Sequence, residues 1–213
     1  MRDLMIDLET WALQPDAALR SIGAVYFELG VGKMGGLGDS FYMNVSDDST
    51  DAMGFYKDPQ TEQWWSEQSE AARKVFGDNP RHIVAVLDRF NDWIASGLML
   101  DELRVWSHGA SFDITLLTES LRICGFGKPL WNHRNIRDTR TLIGIGEALT
   151  GEEIQWDEFE GTPHNALDDA VHQARHMIKI MSILKGTYNA GKAEGDTAGP
   201  AHGNVGPGQT PGA

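Results

Sequence analysis

The sequence predicts an α/β fold in which a mixed β-sheet of about five strands is flanked by helices. Three extended segments follow one another near the start of the chain, and shorter extended segments alternate with helical ones after them. That succession is typical of a mixed sheet covered by helices. A length of 213 residues with 41% hydrophobic content is sufficient for one sizeable domain with a buried core.

The first three strands are predicted over residues 4–10, 19–29 and 40–45, where apolar and small side chains dominate or alternate. A glycine-rich turn over residues 30–38 separates the second strand from the third. Strands joined in this way favour hairpin connections, so we expect the three to form an antiparallel meander.

Three helices are predicted next. Asp58 and Pro59 are typical of an N-cap and of the first position of a helix. Residues 69–76 form a second short helix, and Asn79 with Pro80 opens a third. Apolar residues recur at helical spacing in this third segment: Ile83, Val86, Leu87, Phe90 and Ile94.

The rest of the domain alternates between the two kinds of element. Strands are predicted over residues 104–107 and 136–139, and helices over residues 111–124, 141–149 and 165–184. From residue 186 the chain is rich in glycine, proline and alanine, and such a composition cannot bury enough surface to offset the entropy of ordering. We therefore predict a domain over residues 1–185 and a disordered tail over residues 186–213.

The overall charge limits the kind of partner. The net charge is −13 and the isoelectric point is about 4.8, which argues against a broad basic surface that grips duplex phosphates. An enzyme of nucleic acids is not excluded, because acidic side chains loaded with divalent cations can face phosphate.

The remaining bulk features indicate a cytoplasmic protein. Cys124 is the single cysteine, which rules out an internal disulfide and fits a reducing compartment. No apolar stretch approaches the ~20 residues of a membrane span. The N-terminus enters a strand at once and does not resemble a signal peptide.

Two carboxylates lie at the end of the first predicted strand. Asp7 and Glu9 are two residues apart and therefore project from the same face, whereas Leu8 between them points the other way. Neighbouring carboxylates repel each other and are costly to desolvate, so a cation is expected beside them. The alternative is that Glu9 lies just beyond the strand in water and binds nothing.

Further acidic residues lie at the starts of two predicted helices. Asp113 is in the first turn of its predicted helix, and Asp168 and Asp169 are in the first turn of the last one, just after His164. Asp169 shares a helix face with Gln173, whereas Asp168 lies about 100° round the helix, so only one of the two neighbours easily faces a common centre. The alternative is that these carboxylates only favour the helix dipole.

Taken together, these residues predict a metal-dependent hydrolytic site. Carboxylates from several segments suit two hard cations such as Mg²⁺ or Mn²⁺. Two ions about 4 Å apart can activate a water and stabilise the leaving oxygen of a phosphodiester. A histidine, here His164, can take the proton from the attacking water.

The order of these residues resembles that of the DEDDh 3′→5′ exonucleases, which have the ribonuclease H-like fold. Asp7 and Glu9 match the Asp-x-Glu motif, Phe112 and Asp113 match an aromatic-Asp motif, and His164 with Asp169 matches His-x₄-Asp. The match spans about residues 1–185. The surroundings most resemble a phage and bacterial branch of exoribonuclease-like proteins, in residues 5–11, 21–25, 64–65, 108–113 and 164–170.

The resemblance implies a role for each matching residue. Asp7 bridges both ions, Glu9 and Asp169 complete one site, Asp113 reaches the metals directly or through water, and His164 is the general base. These residues form the candidate catalytic set: Asp7, Glu9, Asp113, His164 and Asp169. The residues expected to hold the terminal nucleotide are Leu8, Thr10, Trp11, Trp65, His108 and Phe112, with core packing as the alternative for the tryptophans.

Several other residues are expected near the site. His108 stands where the second motif often carries asparagine. Asp138 resembles a recurrent acidic residue of the branch, and a helix-capping role suits it better than metal ligation. Arg20, Arg137 and Arg140 are candidates to meet phosphate.

The function predicted is therefore a metal-dependent 3′→5′ exonuclease that acts on single-stranded nucleic acid, with RNA favoured over DNA by the branch resemblance. It would release nucleoside 5′-monophosphates. Two alternatives remain: a binding module on the same fold that holds nucleic acid or nucleotide without hydrolysis, and a phosphohydrolase of free nucleotides. A homodimer is consistent with the resemblance, although no sequence feature defines an interface.

Overall fold

The fold is described from a computed structural model for residues 3–30, 35–97 and 100–197. Its sheet has five strands in the order β3-β2-β1-β4-β5. The strands are β1 (Asp3–Thr10), β2 (Leu19–Glu28), β3 (Gly36–Asn44), β4 (Arg104–Ser107) and β5 (Ile136–Asp138). β2 runs antiparallel to both β1 and β3, whereas β4 runs parallel to both β1 and β5. The predicted mixed sheet of about five strands is confirmed.

Seven α-helices are present among the described residues. They are α1 (Asp47–Ala52), α2 (Pro59–Glu67), α3 (Glu70–Val75), α4 (Ile83–Ser96), α5 (Asp113–Ile123), α6 (Thr139–Thr150) and α7 (Ala166–Thr197). α1 was not predicted, because its six residues carry no apolar periodicity. α4 begins at Ile83, three residues after Pro80, because the side chain of His82 provides its N-cap.

Helices pack on both faces of the sheet because the central strand β1 is apolar on both sides. Leu4 and Ile6 belong to a core formed with α4 and α5. Met5 belongs to a second core on the opposite face, formed with α7 and the inner side of α6. Asp7 and Glu9 continue the row of Met5, so they lie on the face that α7 covers.

The last helix is longer than predicted. It runs to Thr197 instead of ending near residue 184, since alanine and glutamate after Gly186 still permit helix. Residues 198–213 and residues 31–34 of the predicted glycine-rich turn lie outside the described residues, and the domain boundary at residue 185 stays a prediction. No helix in the described ranges is long and apolar enough to cross a membrane.

Candidate active site

The site begins at the end of β1, next to the start of α7. Asp7 pairs with Gly23 and Glu9 pairs with Ser21 on β2, and both carboxylates are half-buried. The side-chain amide of Gln173 on α7 donates a 2.8 Å hydrogen bond to Asp7 Oδ1. This bond fixes the Asp7 carboxylate against α7.

Asp113 joins this pair from the first turn of α5. Its side chain is 5% exposed. Its Oδ1 atom accepts a 3.1 Å hydrogen bond from the backbone N–H of Leu8, the residue between the two β1 carboxylates. The start of α5 is thereby held at the end of β1, and a third carboxylate is added to the cluster.

The start of α7 contributes the remaining residues. Asn165 caps the helix, because its side-chain oxygen accepts from the backbone N–H of Leu167 at 3.0 Å. The carboxylate of Asp169 accepts a hydrogen bond from the backbone N–H of His164. One ligand atom from each of Glu9, His164 and Asp169 lies within 4.8 Å of the others.

His164 is held in an uncommon backbone conformation. Its φ of +64° lies in the left-handed region, which few residues other than glycine adopt. Its ring meets the rings of Trp64 and Trp65 edge-on, with centroids 5.1 and 5.8 Å apart. These contacts keep the imidazole beside Glu9 and Asp169, and its burial lowers the pKa of His164.

The four carboxylates are close enough to disturb one another's ionisation. Burial, together with the charges of Asp113 and Asp169, raises the pKa of Asp7 well above its usual range. Burial and the charge of Asp7 do the same to the pKa of Glu9. Burial raises the pKa of Asp113 to about 7 and that of Asp169 to about 6. The cluster is therefore electrostatically unfavourable without a cation.

This donor set fits divalent metal ions. All four side chains offer carboxylate oxygens, the ligands that Mg²⁺ and Mn²⁺ prefer. These carboxylates lie towards the end of β1 and in the first turns of α5 and α7. The charge of Arg20 opposes the rise in the Glu9 pKa, but it is outweighed by burial and by the carboxylates Asp7 and Asp169.

Asp168 faces away from the carboxylates, as the helix phasing predicts. Its Oδ2 atom accepts a 2.8 Å hydrogen bond from the backbone N–H of Thr162, and its carboxyl group lies where a β-carbon on Gly161 would be. Asp168 therefore holds the turn that carries His164, and Asp169 alone of the neighbouring pair joins the cluster.

A cleft of about 450 Å³ opens beside Glu9. Apolar and aromatic side chains form much of its wall, together with three polar side chains from the start of α2 and the residue before it. The lining residues are Leu8, Glu9, Thr10, Leu13, Asp58, Gln60, Thr61, Trp64, Trp65 and Phe112. Its size and composition suit a nucleoside.

Four of the six predicted nucleotide-binding residues line this cleft: Leu8, Thr10, Trp65 and Phe112. Trp11 and His108 do not. Nε1 of Trp11 donates to Asp47, and Nδ1 of His108 lies 2.8 Å from the hydroxyl of Thr139. Both side chains are thus engaged in contacts that support the surrounding structure.

Sequence reasoning missed several site residues. Gln173 was noted only as sharing a helix face with Asp169, and the exposed Leu13 and Trp64 were not assigned to the cleft. Trp64 is 43% exposed whereas Trp65 is 3% exposed. Adjacent residues on an amphipathic helix cannot both face the core, so the pair itself was a signal that one of them faces the cleft.

Arg20 supports the wall of the cleft by packing against Trp65. Its guanidinium carbon lies 3.9 Å from the ring centroid of Trp11, 4.2 Å from that of Trp65 and 3.6 Å from that of Phe76. Burial lowers the pKa of Arg20 to about 10. Trp11 therefore has the packing role that was the alternative to nucleotide binding, whereas Trp65 both packs against Arg20 and lines the cleft.

Asp138 has the capping role predicted for it. Its Oδ1 atom accepts from the backbone N–H of Arg140 at 2.9 Å and so caps α6. Its Oδ2 atom accepts from the backbone N–H of Ala110 at 2.8 Å. The same carboxylate therefore ties α6 to the bend that leads into Asp113.

Comparison with known proteins gives a consistent result. The profile of the Rv2179c-like 3′-5′ exoribonuclease domain matches residues 2–181 of this chain. Among curated proteins, no sequence matches it significantly.

Solved structures share the fold at low sequence identity. Cell-death related nuclease 4 (CRN-4) is 13% identical with a TM-score of 0.64, over 85% of this chain and 64% of that one. The nuclease domain of 3′hExo, a DEDDh family member bound to rAMP, is 15% identical with a TM-score of 0.53, over 85% and 92%. The E. coli ExoI–ssDNA complex in metal-free form is 16% identical with a TM-score of 0.51, over 91% and 44%. This chain thus spans less than two thirds of CRN-4 and of ExoI.

Proposed function

The chain belongs to the Rv2179c-like 3′-5′ exoribonuclease domain family and is a phosphodiester hydrolase; from this membership we propose that it removes nucleoside 5′-monophosphates from the 3′ end of single-stranded RNA. The observation that carries the proposal is the meeting of Glu9, His164 and Asp169, with ligand atoms within 4.8 Å of one another, beside a cleft of nucleoside size. DNA is the less favoured substrate.

The carboxylates would hold two divalent ions, Mg²⁺ or Mn²⁺. Asp7 would bridge them, Glu9 and Asp169 would complete one site, and Asp113 would bind directly or through water. Bound ions would neutralise the phosphate oxygens and lower the pKa of a water. The raised pKa values of Asp7, Glu9, Asp113 and Asp169 support this role, since each carboxylate would lose its proton to ion binding.

His164 is the proposed general base. Because burial lowers its pKa, the imidazole is neutral near pH 7 and can accept a proton from an attacking water. The hydrogen bond from its backbone N–H to Asp169 links its position to the carboxylate cluster. Trp64 and Trp65 limit the rotation of its ring through their edge-on contacts.

The cleft is the proposed site of the 3′-terminal nucleoside. Phe112 and Trp64 offer aromatic surface to a base, and Gln60 and Thr61 offer polar groups to the sugar or the base edge. The backbone N–H of Leu8 already donates to Asp113, and the carbonyl of Thr10 accepts from Nε1 of Trp65. These backbone groups therefore shape the cleft more than they bind the ligand.

The test is a time course on RNA and DNA oligonucleotides labelled at either end, in Mg²⁺, Mn²⁺ or EDTA. Release of labelled mononucleotide first from the 3′ end, in metal only and faster on RNA, supports the proposal. Faster cleavage of DNA would reverse the substrate preference, and internal fragments or release from the 5′ end would contradict the polarity.

Controls separate the alternatives on the same fold. A preparation that binds oligonucleotide but releases nothing in either metal is a binding module. One that hydrolyses free nucleotides but no oligonucleotide is a nucleotide phosphohydrolase. The homodimer and the cytoplasmic location stay predictions from the sequence.

A further inference from the structure

Three arginines were candidates to meet phosphate, and the structure distinguishes them. Arg20 is 8% exposed and lies among three aromatic rings. Arg137 donates from Nη1 to the backbone carbonyls of Arg134 and Ile136, both at 2.9 Å. Arg20 is thus enclosed by packing, and Nη1 of Arg137 is already engaged with the backbone.

Arg140 differs from both. It lies in the first turn of α6, is exposed, and its guanidinium makes no ion pair or hydrogen bond with any residue in the described ranges. The chain has a net charge of −13, yet Arg140 forms no ion pair with the described residues although it lies near the carboxylate cluster. An unpaired cation in such a place suggests a ligand of negative charge.

The backbone around Arg140 is shaped to receive its guanidinium. Gly109 has a φ of +109°, and a β-carbon there would lie 3.0–3.2 Å from three atoms of the Arg140 guanidinium. A side chain at position 109 would therefore displace the charged group. Glycine at position 109 therefore leaves room for the guanidinium beside the bend that leads into Asp113.

The position of Arg140 relative to the carboxylates is fixed by Asp138. The two oxygens of Asp138 accept from the backbone N–H groups of Ala110 and Arg140, at 2.8 and 2.9 Å. The bend before Asp113 and the first turn of α6 therefore move together. The positive charge of Arg140 opposes the larger rise that burial causes in the pKa of Asp113. At His108 the charge acts in the same direction as burial, and both lower the pKa.

Arg140 is not among the described residues that line the cleft proposed for the terminal nucleoside. Of the 108–113 bend, only Phe112 is among those lining residues. A planar guanidinium binds phosphate oxygens in a bidentate manner and suits a strand passing beside the metal carboxylates. We propose that Arg140 binds a backbone phosphate of the strand on the 5′ side of the scissile bond, in the part of the substrate that is retained after cleavage. This inference rests on the exonuclease function proposed above.

The test compares two substrates that differ in this phosphate. The 4-nitrophenyl ester of thymidine 5′-monophosphate has no phosphate beyond the scissile one, whereas RNA oligonucleotides of increasing length do. In Arg140→Gln we expect KM for RNA to rise about tenfold, whereas KM for the ester stays unchanged. The slope of log KM for RNA against log salt concentration should fall by about 0.7, the value for one phosphate contact on a single strand. Arg140→Lys should restore the slope but only part of the affinity, because it keeps the charge and loses the fork.

A matched control and a second readout keep the result decisive. Arg122→Gln removes an equal charge at the far end of α5, where Arg122 pairs with Glu119, and should leave KM and the salt slope unchanged. An equal loss of rate on both substrates would show that Arg140 only positions Asp113, and an unchanged KM for RNA would show no phosphate contact; either overturns the inference.

If the wild type hydrolyses neither substrate, the exonuclease proposal fails. Binding of fluorescent RNA in Ca²⁺, weakened about tenfold in Arg140→Gln or unchanged, then decides whether Arg140 contacts phosphate.

Discussion

Gly23 of β2 lies directly against the backbone of Ala166, the first residue of α7. A β-carbon built on Gly23 would lie 2.1 Å from the carbonyl carbon of Ala166 and 2.2 Å from its oxygen. Gly23 is also the pairing partner of Asp7. The absence of a side chain at this position is what allows the start of α7, with His164 before it and Asp169 within it, to approach the carboxylates of β1.

Gly23→Ala is therefore expected to displace the start of α7 by more than an ångström and to lower turnover about 100-fold, since small misplacements of catalytic groups have effects of that order. Overpacking costs about 1–3 kcal/mol, so the fold should survive. Turnover on RNA and the melting temperature are the measurements. Gly36→Ala on β3, where nothing lies within 4 Å of the new methyl group, is the control and should be close to wild type. Wild-type turnover in Gly23→Ala would contradict this account.

Asp169→Asn and Asp168→Asn form a matched pair on adjacent residues. Asp169 lies in the cluster with Glu9 and His164, so its neutralisation should abolish metal-dependent turnover with little change in the melting temperature. Asp168 accepts from the N–H of Thr162, and the asparagine oxygen can still accept, so the effect there should be small. Titration of Mn²⁺ by calorimetry should show weakened binding only in Asp169→Asn. Equal damage in both variants would mean that the side chains of α7 are assigned to the wrong faces.

His164→Ala should slow the chemical step by about 10²-fold or more while binding of divalent ions persists, the usual scale for loss of a general base. Only the neutral imidazole accepts a proton, so wild-type single-turnover rates should fall as the pH drops below the pKa of His164. Burial lowers that pKa, which places the fall at more acidic pH than for a free histidine. In His164→Ala this acid limb should vanish, apart from the contribution of the carboxylates to metal binding. An unchanged rate at saturating metal would remove His164 from the mechanism.

The spacing of short motifs predicted the cluster because each residue lies at the end of a regular element. Asp7 and Glu9 follow the period of a strand, and Asp113 and Asp169 follow helix starts, so local pattern was enough to place them. The same reasoning oriented Asp168 away from the site, and its bond to Thr162 agrees with that orientation.

The cleft could not be predicted in the same way, because tertiary contacts decide which neighbour faces it. Trp11 is of a residue type that often stacks on bases, yet its ring makes a cation–π contact with the buried Arg20, whose guanidinium carbon lies 3.9 Å from the ring centroid. Leu13, which is 72% exposed in the turn after β1, belongs to no periodic element and gave no signal. Gln173 is two turns from the start of α7, and its role depends on how closely α7 approaches β1.

The carboxylate cluster should also destabilise the metal-free protein at high pH. Burial raises the pKa of Asp113 to about 7 and that of Asp169 to about 6, whereas an unfolded chain titrates these groups near pH 4. Between about pH 4 and pH 7 the folded state therefore binds more protons than the unfolded state, and the free energy of unfolding decreases as the pH rises. Histidines of lowered pKa act in the opposite direction, so a comparison with a variant is needed to isolate the carboxylates.

Asp7→Asn provides that comparison. Asparagine can still accept the hydrogen bond from Gln173, but it removes the charge that Asp113 and Asp169 oppose. In EDTA we expect the variant to melt at a higher temperature than the wild type at about pH 8, with the difference shrinking towards about pH 5, where the wild-type carboxylates are protonated. Millimolar Mn²⁺ should raise the wild-type melting temperature at about pH 8 and have much less effect on Asp7→Asn, because ion binding to the folded state alone stabilises it. Equal melting temperatures at high pH in EDTA would show that the carboxylates do not repel one another as their placement implies.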